Sequence, residues 1–124
     1  MSNHPFLLSI ITDEISQDPE VALSLAAEFG FHGVELRSVW DTPVELLEDD
    51  RMQALAARIK DCGLQVSAIA SSFLKDDWGN DDRAKFDRLV KACHTFGCTK
   101  LRGFSFWASE NYSDQAFADY LNTY

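Results

Sequence analysis

The sequence predicts an α/β fold in which four strands alternate with helices around a parallel sheet. Apolar segments of strand length begin near residues 6, 33, 65 and 100. A stretch with helical spacing follows each of them, and Gly30, Gly63 and Gly97 stand just before the next strands. Recurrence of a strand and a helix at a spacing of about thirty residues is typical of βαβ units, whose strands run parallel with right-handed crossovers.

Length and charge narrow the class of protein. The 124 residues are 46% hydrophobic, which is enough for one globular domain with a core. A net charge of −9 would repel phosphate backbones and anionic lipids, so we expect no nucleic-acid or membrane partner. No apolar run approaches the roughly 20 residues of a membrane span, and the amino terminus does not resemble a signal peptide. We therefore expect a cytoplasmic protein with reduced cysteines.

The first two units carry clear local signals. The apolar run of residues 6–12 predicts a strand that is buried on both faces. Asp18-Pro19 predicts the start of a helix whose apolar stripe is Val21, Ala22, Leu25, Ala26 and Phe29. Residues 33–37 predict a short strand in which Glu35 and Arg37 share one face, since strand side chains alternate.

The middle and end of the chain continue the pattern. Thr42-Pro43-Val44-Glu45 is a capping-box sequence and predicts a short helical turn. We then expect a helix from about residue 50 to 62, a strand over 65–70, and a helix from about 82 to 96 with Phe86 on its buried face. A strand over 100–106 and a helix after Ser113, with Leu121 facing inward, complete the four units.

Two architectures fit this order: an open doubly wound sheet, or part of a (β/α)8 barrel. A full barrel takes about 250 residues, roughly twice this length. In a half barrel the two end strands have unpaired edges, and we expect an exposed apolar inner face that carries Ile11, Ile69 and Phe104 or their neighbours.

Both architectures place a ligand site at the carboxyl ends of the strands. The residues predicted there are Thr12, Asp13, Glu14, Glu35, Arg37, Trp40, Ser71, Ser72, Phe73, Arg102, Phe104, Phe106 and Trp107. The sequence has no glycine-rich phosphate loop, and no histidine lies near these strand ends. Carboxylates, arginines, hydroxyls and aromatic rings suit a polyhydroxylated ligand.

Glu35 raises a question of charge pairing. An inward carboxylate without a partner is costly to bury, so we expect Glu35 to pair with Arg102 or Arg37 at the mouth of a barrel. The alternatives are that Glu35 and Arg37 form a purely structural ion pair, and that Asp13-Glu14 is a solvated loop.

Four motifs together resemble a known family. Thr12-Asp13-Glu14-Ile15, Gly33-Val34-Glu35-Leu36-Arg37, Ala70-Ser71-Ser72-Phe73 and Leu101-Arg102-Gly103-Phe104-Ser105-Phe106 are similar to the amino-terminal half of sugar phosphate isomerases/epimerases of the xylose isomerase-like TIM barrel superfamily. The resemblance implies that residues 1–124 form one domain, a (βα)4 half of a TIM (β/α)8 barrel with outer helices. It also implies metal-assisted isomerisation or epimerisation of a sugar or polyol.

The resemblance implies a divalent metal whose ligands lie at later strand ends, outside this chain. It also implies that the substrate-facing rim consists of Glu35, Arg37, Ser71, Arg102 and Trp107. No catalytic residue can be assigned from the motifs. We expect either a missing carboxyl-terminal half or self-association, the latter as a non-catalytic half barrel that binds a ligand or has a structural role.

Overall fold

Four parallel strands flanked by helices form the body of the molecule. The computed structural model describes residues 6–75, 81–105 and 113–122. In chain order the elements are β1 (Ser9–Ile11), α1 (Pro19–Glu28), β2 (Gly33–Leu36), β3 (Ser38–Val39), β4 (Thr42–Pro43), α2 (Asp49–Asp61), β5 (Gln65–Ala70), α3 (Asp82–Phe96), β6 (Leu101–Arg102) and α4 (Asp114–Leu121). The main sheet has the order β1-β2-β5-β6 and all its described pairs are parallel. The predicted alternation of strands and helices is confirmed.

The helix boundaries follow the local signals. The Asp18 carboxylate accepts a hydrogen bond from the Glu20 N–H at 2.9 Å, and Pro19 occupies the first helical position of α1. Gly97 ends α3 in the left-handed conformation with a φ of 66°, which glycine adopts without steric cost. These caps fix where the helices stop and the strands begin.

The outer face of the sheet, covered by the helices, contains the core. Val34, Leu36 and Ile69 are fully buried on this face, and they belong to one apolar cluster with residues of α1, α2 and α3. The helical members of the cluster are Leu23, Ala26, Met52, Leu55, Ile59, Leu89, Ala92 and Phe96. Burial of this apolar surface is the main force that holds the helices on the sheet.

A β-bulge changes which residues of β5 face the helices. Val34 pairs with Val66, but the next residue, Glu35, pairs with Ala68, so Ser67 is left without a partner in the register. One extra residue moves every later side chain to the opposite face. Ile69 therefore lies beside Leu36 in the core, and the prediction that it is part of an exposed inner face is wrong.

The first strand is shorter and more exposed than predicted. Phe6, Leu7 and Leu8 precede β1 and are 74%, 78% and 55% exposed. β1 is an end strand of the sheet and pairs only with β2 among the described residues, so nothing in that part of the chain covers its far side. The expected burial on both faces is wrong for residues 6–9, which are exposed, whereas Thr12 is buried.

Some predicted helix faces are rotated. In α1, Ala22 and Ala26 of the predicted stripe are buried, but Leu23 is buried in place of Val21 and Phe29, which are exposed. Phe86 of α3 and Leu121 of α4 are likewise exposed rather than inward-facing.

A small hairpin, absent from the sequence prediction, follows β2. β3 and β4 pair in antiparallel fashion, and the two residues between them, Trp40 and Asp41, both have positive φ values of 54° and 56°. Two-residue hairpins favour this left-handed conformation, although a tryptophan adopts it rarely. Gln17 stabilises it: its main-chain oxygen accepts from the Trp40 N–H at 2.8 Å, and its Oε1 accepts from the Asp41 N–H at 3.0 Å.

The turn after this hairpin is helical but is not capped as predicted. A 3₁₀ turn spans Val44–Leu46, and no side chain caps it. The Thr42 hydroxyl donates instead to the Trp40 carbonyl at 3.1 Å, so the capping-box prediction is wrong while the predicted turn is present.

All three cysteines are free, and burial affects the chemistry of one of them. Burial, together with the nearby Cys98 thiol, raises the pKa of Cys93 to about 11, which keeps Cys93 protonated near neutral pH. Within the described ranges, no helix combines the length and apolar character that crossing a membrane requires.

Candidate functional site

A cleft of about 350 Å³ opens at the carboxyl ends of the central strands. Parallel strands of one sheet end at the same edge, which is where ligands bind in α/β folds. The cleft is lined by residues that follow β2, β5 and β6 and by the hairpin: Arg37, Ser38, Pro43, Glu45, Ala70, Ser71, Ser72, Lys75, Arg102 and Phe104. Three of the five predicted rim residues, Arg37, Ser71 and Arg102, are therefore brought together.

Arg37 is held by two carboxylates from the turn after β1. Its Nε and Nη2 atoms each donate to an oxygen of Asp13 at 2.9 Å, and Nη2 also donates to Glu14 Oε1 at 3.0 Å. The Ser38 hydroxyl adds a hydrogen bond to Asp13 at 2.8 Å. The Asp13 side chain is only 7% exposed, so the alternative of a solvated loop is wrong for Asp13, whereas the Glu14 side chain is 60% exposed.

This contact changes the ionisation of both partners. Burial alone would raise the pKa of the Asp13 carboxyl, but the hydrogen bonds from Arg37 and Ser38 and the charge of Arg37 outweigh burial and lower the pKa. The hydrogen bonds to Asp13 correspondingly raise the pKa of Arg37. Both groups stay charged at neutral pH, and the arginine is fixed in place as one wall of the cleft.

Arg102 is held in a different way, by main-chain carbonyl groups. Its Nε and Nη2 atoms donate to the Ser71 carbonyl at 3.3 and 3.1 Å, and Nη2 also donates to the Ala70 carbonyl at 3.2 Å. The guanidinium carbon lies 5.0 Å from the centre of the Phe104 ring, a cation–π contact. No carboxylate of the described residues forms an ion pair with Arg102.

The predicted pairing of Glu35 with an arginine is wrong. Arg37 turns to Asp13 and Glu14, and Arg102 turns to the carbonyl groups at the end of β5. Glu35 lies half-buried on the inner face of β2, paired in register with Ile11 and Ala68. It is absent from the lining of the cleft. Asp13 and Glu14, the acids that follow β1, lie beside the end of β2 and bind Arg37 there.

Ser71 holds two strand ends together. Its hydroxyl donates to the Arg102 carbonyl at 2.6 Å and accepts from the Phe73 N–H at 3.2 Å. Its neighbour Ser72 accepts a hydrogen bond from Lys85 Nζ at 2.6 Å. Ser71 thus shapes the floor of the cleft, while Ser72 and Lys75 lie closer to its exposed rim.

Glu45 is one of the lining residues that the sequence analysis did not identify as part of a site, and Ser38, Pro43 and Lys75 are others. Glu45 sits in the 3₁₀ turn between Val44 and Leu46, and the residue is 7% exposed. Its carboxylate has no hydrogen-bond or ion-pair partner within residues 6–75, 81–105 and 113–122. The sequence signal was misleading, because the same glutamate completes an apparent capping box.

Of the two tryptophans predicted near the site, Trp40 lies within the described residues and Trp107 does not. Trp40 is half-buried beside the core, and the guanidinium carbon of Arg51 lies 4.2 Å from its ring centre. It stabilises the hairpin and does not line the cleft. Trp107 and Phe106, both predicted near the site, lie outside the described residues.

The described side chains do not fit a divalent metal. In that part of the chain no three histidine, cysteine, aspartate or glutamate side chains are close enough together to hold an ion. The predicted metal therefore has no candidate ligand set here.

A wider groove of about 620 Å³ lies between α2 and α3 at the opposite end of the sheet. Ala56, Lys60, Gln65 and His94 are among the residues that line it. It lies at the amino end of β5, the end that serves stability rather than ligand binding in barrels of this kind. We therefore take the strand-end cleft as the candidate site.

Comparisons with known proteins identify the fold. No family model and no curated protein matches the chain. A probable 3-DHS dehydratase, AsbF, involved in petrobactin synthesis in Bacillus anthracis, matches 95% of the chain with a TM-score of 0.74 and 19% identity. A xylose isomerase domain protein from Planctomyces limnophilus matches 98% of it with a TM-score of 0.63 and 11% identity.

The chain spans 45% and 48% of the lengths of these two proteins. The shared fold sets aside the open doubly wound sheet. The parallel four-stranded sheet with helices on its outer face has the fold of half a TIM barrel.

Proposed function

We propose that the chain supplies the substrate-binding rim of an enzyme that isomerises or epimerises a sugar or polyol with the help of a divalent metal. The observation that carries the proposal is the strand-end cleft, in which Arg37, Ser71 and Arg102 converge. The likeness to xylose isomerase-like barrels supports an enzyme of this general type. We further propose that residues 1–124 form one domain, that Glu35 and Trp107 also face the substrate, and that the protein acts in the cytoplasm.

The roles of the cleft residues follow from their contacts. Arg37 is neutralised by Asp13 and Glu14, and we assign it to shaping the wall and to hydrogen bonds with substrate hydroxyl groups. Ser71 fixes the ends of β5 and β6 at the base of the cleft. In the proposed reaction a base removes a proton next to a carbonyl group, and a metal would stabilise the resulting charge.

The metal ligands are assigned to the rest of a closed barrel. Since the described residues lack a ligand cluster, we propose that a second half, either in the same polypeptide or in another chain, contributes them. That half would also cover the open side of β1.

Solvent deuterium exchange tests the proposed activity. The full product of the gene that encodes these residues is incubated in D₂O with a panel of aldoses, ketoses and their phosphates, with Mn²⁺ or with a chelator. We expect metal-dependent loss of the proton signal next to the carbonyl group for at least one sugar. Absence of exchange across the panel, with the protein folded by circular dichroism, would contradict the proposal.

A second candidate function is a non-catalytic half barrel that self-associates. The observation in its favour is the border of the sheet at β1, where Phe6, Leu7 and Leu8 are exposed. Apolar surface beside an unpaired strand edge favours association with another chain. A stable dimer by light scattering, together with ligand binding and no exchange activity, would support this function over the enzyme.

A further inference from the structure

Arg102 is an oriented cation whose hydrogen-bonding capacity is only partly used. The Ala70 and Ser71 carbonyls fix the Nε and Nη2 side of the guanidinium group. Nη1 donates to none of the residues that the structure describes. Carbonyl dipoles orient the group without neutralising its charge, and among the described residues no acidic side chain pairs with it. A guanidinium with an open edge in a cleft is suited to an oxyanion.

Glu45 is a negatively charged residue without a partner in the described part of the chain, and it lines the hairpin side of the same cleft. Val44 and Leu47, both buried in the core, anchor the backbone on either side of it, and the Val44 N–H donates to the Arg37 carbonyl at 3.1 Å. The residue is more than nine-tenths buried, yet its carboxylate has no partner in the described part of the chain. A carboxylate without a protein partner keeps its charge only where water or a polar ligand can reach it.

The Glu45 oxygens also remain accessible. In the described ranges the fully enclosed side-chain oxygen that lacks a partner is Thr12 Oγ1, and no Glu45 oxygen shares that condition. Glu45 therefore contacts solvent, and the space that it lines is the cleft. A carboxylate in this position accepts hydrogen bonds from a bound hydroxyl group.

Glu45 and Arg102 do not neutralise each other. Both line the cleft, but they form no ion pair within 4.0 Å. A cleft of about 350 Å³ is large enough for a small ligand between them. We propose that it binds a small hydroxylated acid, whose carboxylate or phosphate oxyanion accepts hydrogen bonds from Arg102 and whose hydroxyl group donates to Glu45. This inference names the substrate class of the site on which the proposed function rests.

Calorimetric titration with three probes tests the inference. Gluconate and glucose 6-phosphate each combine hydroxyl groups with an oxyanion, whereas sorbitol offers hydroxyl groups alone. We expect at least one of the two anions to bind about ten to a hundred times more tightly than sorbitol, the range for a charged hydrogen bond. Tighter binding of gluconate identifies a carboxylate, and tighter binding of glucose 6-phosphate identifies a phosphate. Equal binding of all three probes, or binding of neither anion, overturns the inference.

Variants of Arg102 assign the oxyanion contact. We expect Arg102→Gln to remove the preference for the anion over sorbitol, while Arg83→Gln, an exposed site on α3, leaves it unchanged. Since Arg102 also braces β5, melting curves are recorded for every variant. If Arg102→Gln does not fold, Arg102→Lys serves instead, because it keeps the charge but loses the planar fork, and the preference should fall about tenfold. A folded Arg102 variant that keeps the full preference overturns the assignment.

Glu45→Gln tests the other contact. Because every probe has hydroxyl groups, we expect this variant to weaken binding of anions and sorbitol by a similar factor of about ten, with Glu48→Gln, exposed three residues later, as the control. Unchanged binding in a folded Glu45→Gln protein would contradict its role.

The two proposals can fail separately. A protein that binds gluconate through Arg102 but exchanges no substrate proton refutes the proposed reaction and leaves the hydroxy-acid site standing. A protein that converts a neutral sugar equally well with Arg102→Gln refutes the hydroxy-acid site and leaves the reaction standing.

Discussion

The two faces of the central sheet differ in residue type: the outer face is apolar, and the inner face carries small and polar residues. The outer face carries Val34, Leu36 and Ile69, all fully buried beneath the helices. The inner face carries Gly33, Glu35 and Ser67, and Ser67 Oγ lies 2.7 Å from Ser9 Oγ of β1, on the far side of β2. The outer face contributes stability, whereas the inner face and the strand ends keep polar groups that contribute little to it. A ligand site requires polar groups of this kind, even though apolar residues in the same places would stabilise the fold more.

Adjacent residues of β2 give the largest expected contrast. We expect Leu36→Ala to lower the free energy of unfolding by about 2–5 kcal/mol, since it leaves a cavity in the core. Glu35→Ala, one residue away on the inner face, should change it by no more than about 0.5 kcal/mol. Urea unfolding followed by circular dichroism measures both. Similar losses from the two substitutions would show that the faces do not differ as described.

Gly33 tests how closely the strands approach on the inner face. A Cβ atom at Gly33 would lie 2.9 Å from the Gln65 main-chain oxygen, so one of the two strands has to move. We expect Gly33→Ala to destabilise the fold by about 1–3 kcal/mol. Gly103→Ala is the matched control, because its Cβ would lie 3.6 Å from the nearest atom, in ordinary contact. Equal stability of both variants would contradict the close approach.

The Asp13–Arg37 contact should have an intermediate effect that depends on pH. We expect Asp13→Asn to cost about 1–2 kcal/mol at pH 7, a value reduced by the partial exposure of Arg37. Because folding lowers the pKa of Asp13, its contribution is complete above the unfolded value near 3.8 and disappears as the pH falls through the folded value below it.

Unfolding of the wild type and Asp13→Asn at pH 7 and pH 2.5 measures this dependence. The difference between the two proteins should shrink at the lower pH. Glu20→Gln, which breaks the exposed pair with Arg58, is the control and should cost less than Asp13→Asn at pH 7. A constant difference across the pH range would show that the charge of Asp13 is not what stabilises the turn.

The hydrogen bonds of Ser67 should give the smallest effect. Its hydroxyl contacts Ser9 Oγ and donates to the Val34 carbonyl at 3.2 Å, both near solvent. We expect Ser67→Ala to cost about 0.5–1 kcal/mol in urea unfolding, with Ser24→Ala on the exposed side of α1 as the reference. A loss as large as that of Leu36→Ala would mean that the inner face is part of the core.

Local sequence signals predicted the elements because the relevant physics is local. Asp18-Pro19 and Gly97 fix helix ends through contacts within a few residues. The order of units then implies a parallel sheet, and strand ends imply where a site lies. Arg37, Ser71 and Arg102, which that reasoning assigned to the strand ends, line one cleft.

The errors arose where distant residues decide the outcome. The bulge at Ser67 moves Ile69 to the opposite face of the sheet, and the residues of that strand carry no local signal that predicts a bulge. The left-handed Trp40-Asp41 turn depends on hydrogen bonds to Gln17. Arg37 binds Asp13 and not Glu35, because the turn after β1 folds against the hairpin. Glu45 could not be recognised as a lining residue until that hairpin was in place.

Amide chemical-shift mapping during a titration with gluconate or glucose 6-phosphate tests the central claim, that the strand-end cleft is the ligand site. We expect the largest shifts at Glu45, Ser72, Lys75 and Arg102, with little change between α2 and α3. Shifts confined to Lys60, His94 and their neighbours in the groove at the opposite end of the sheet would contradict it.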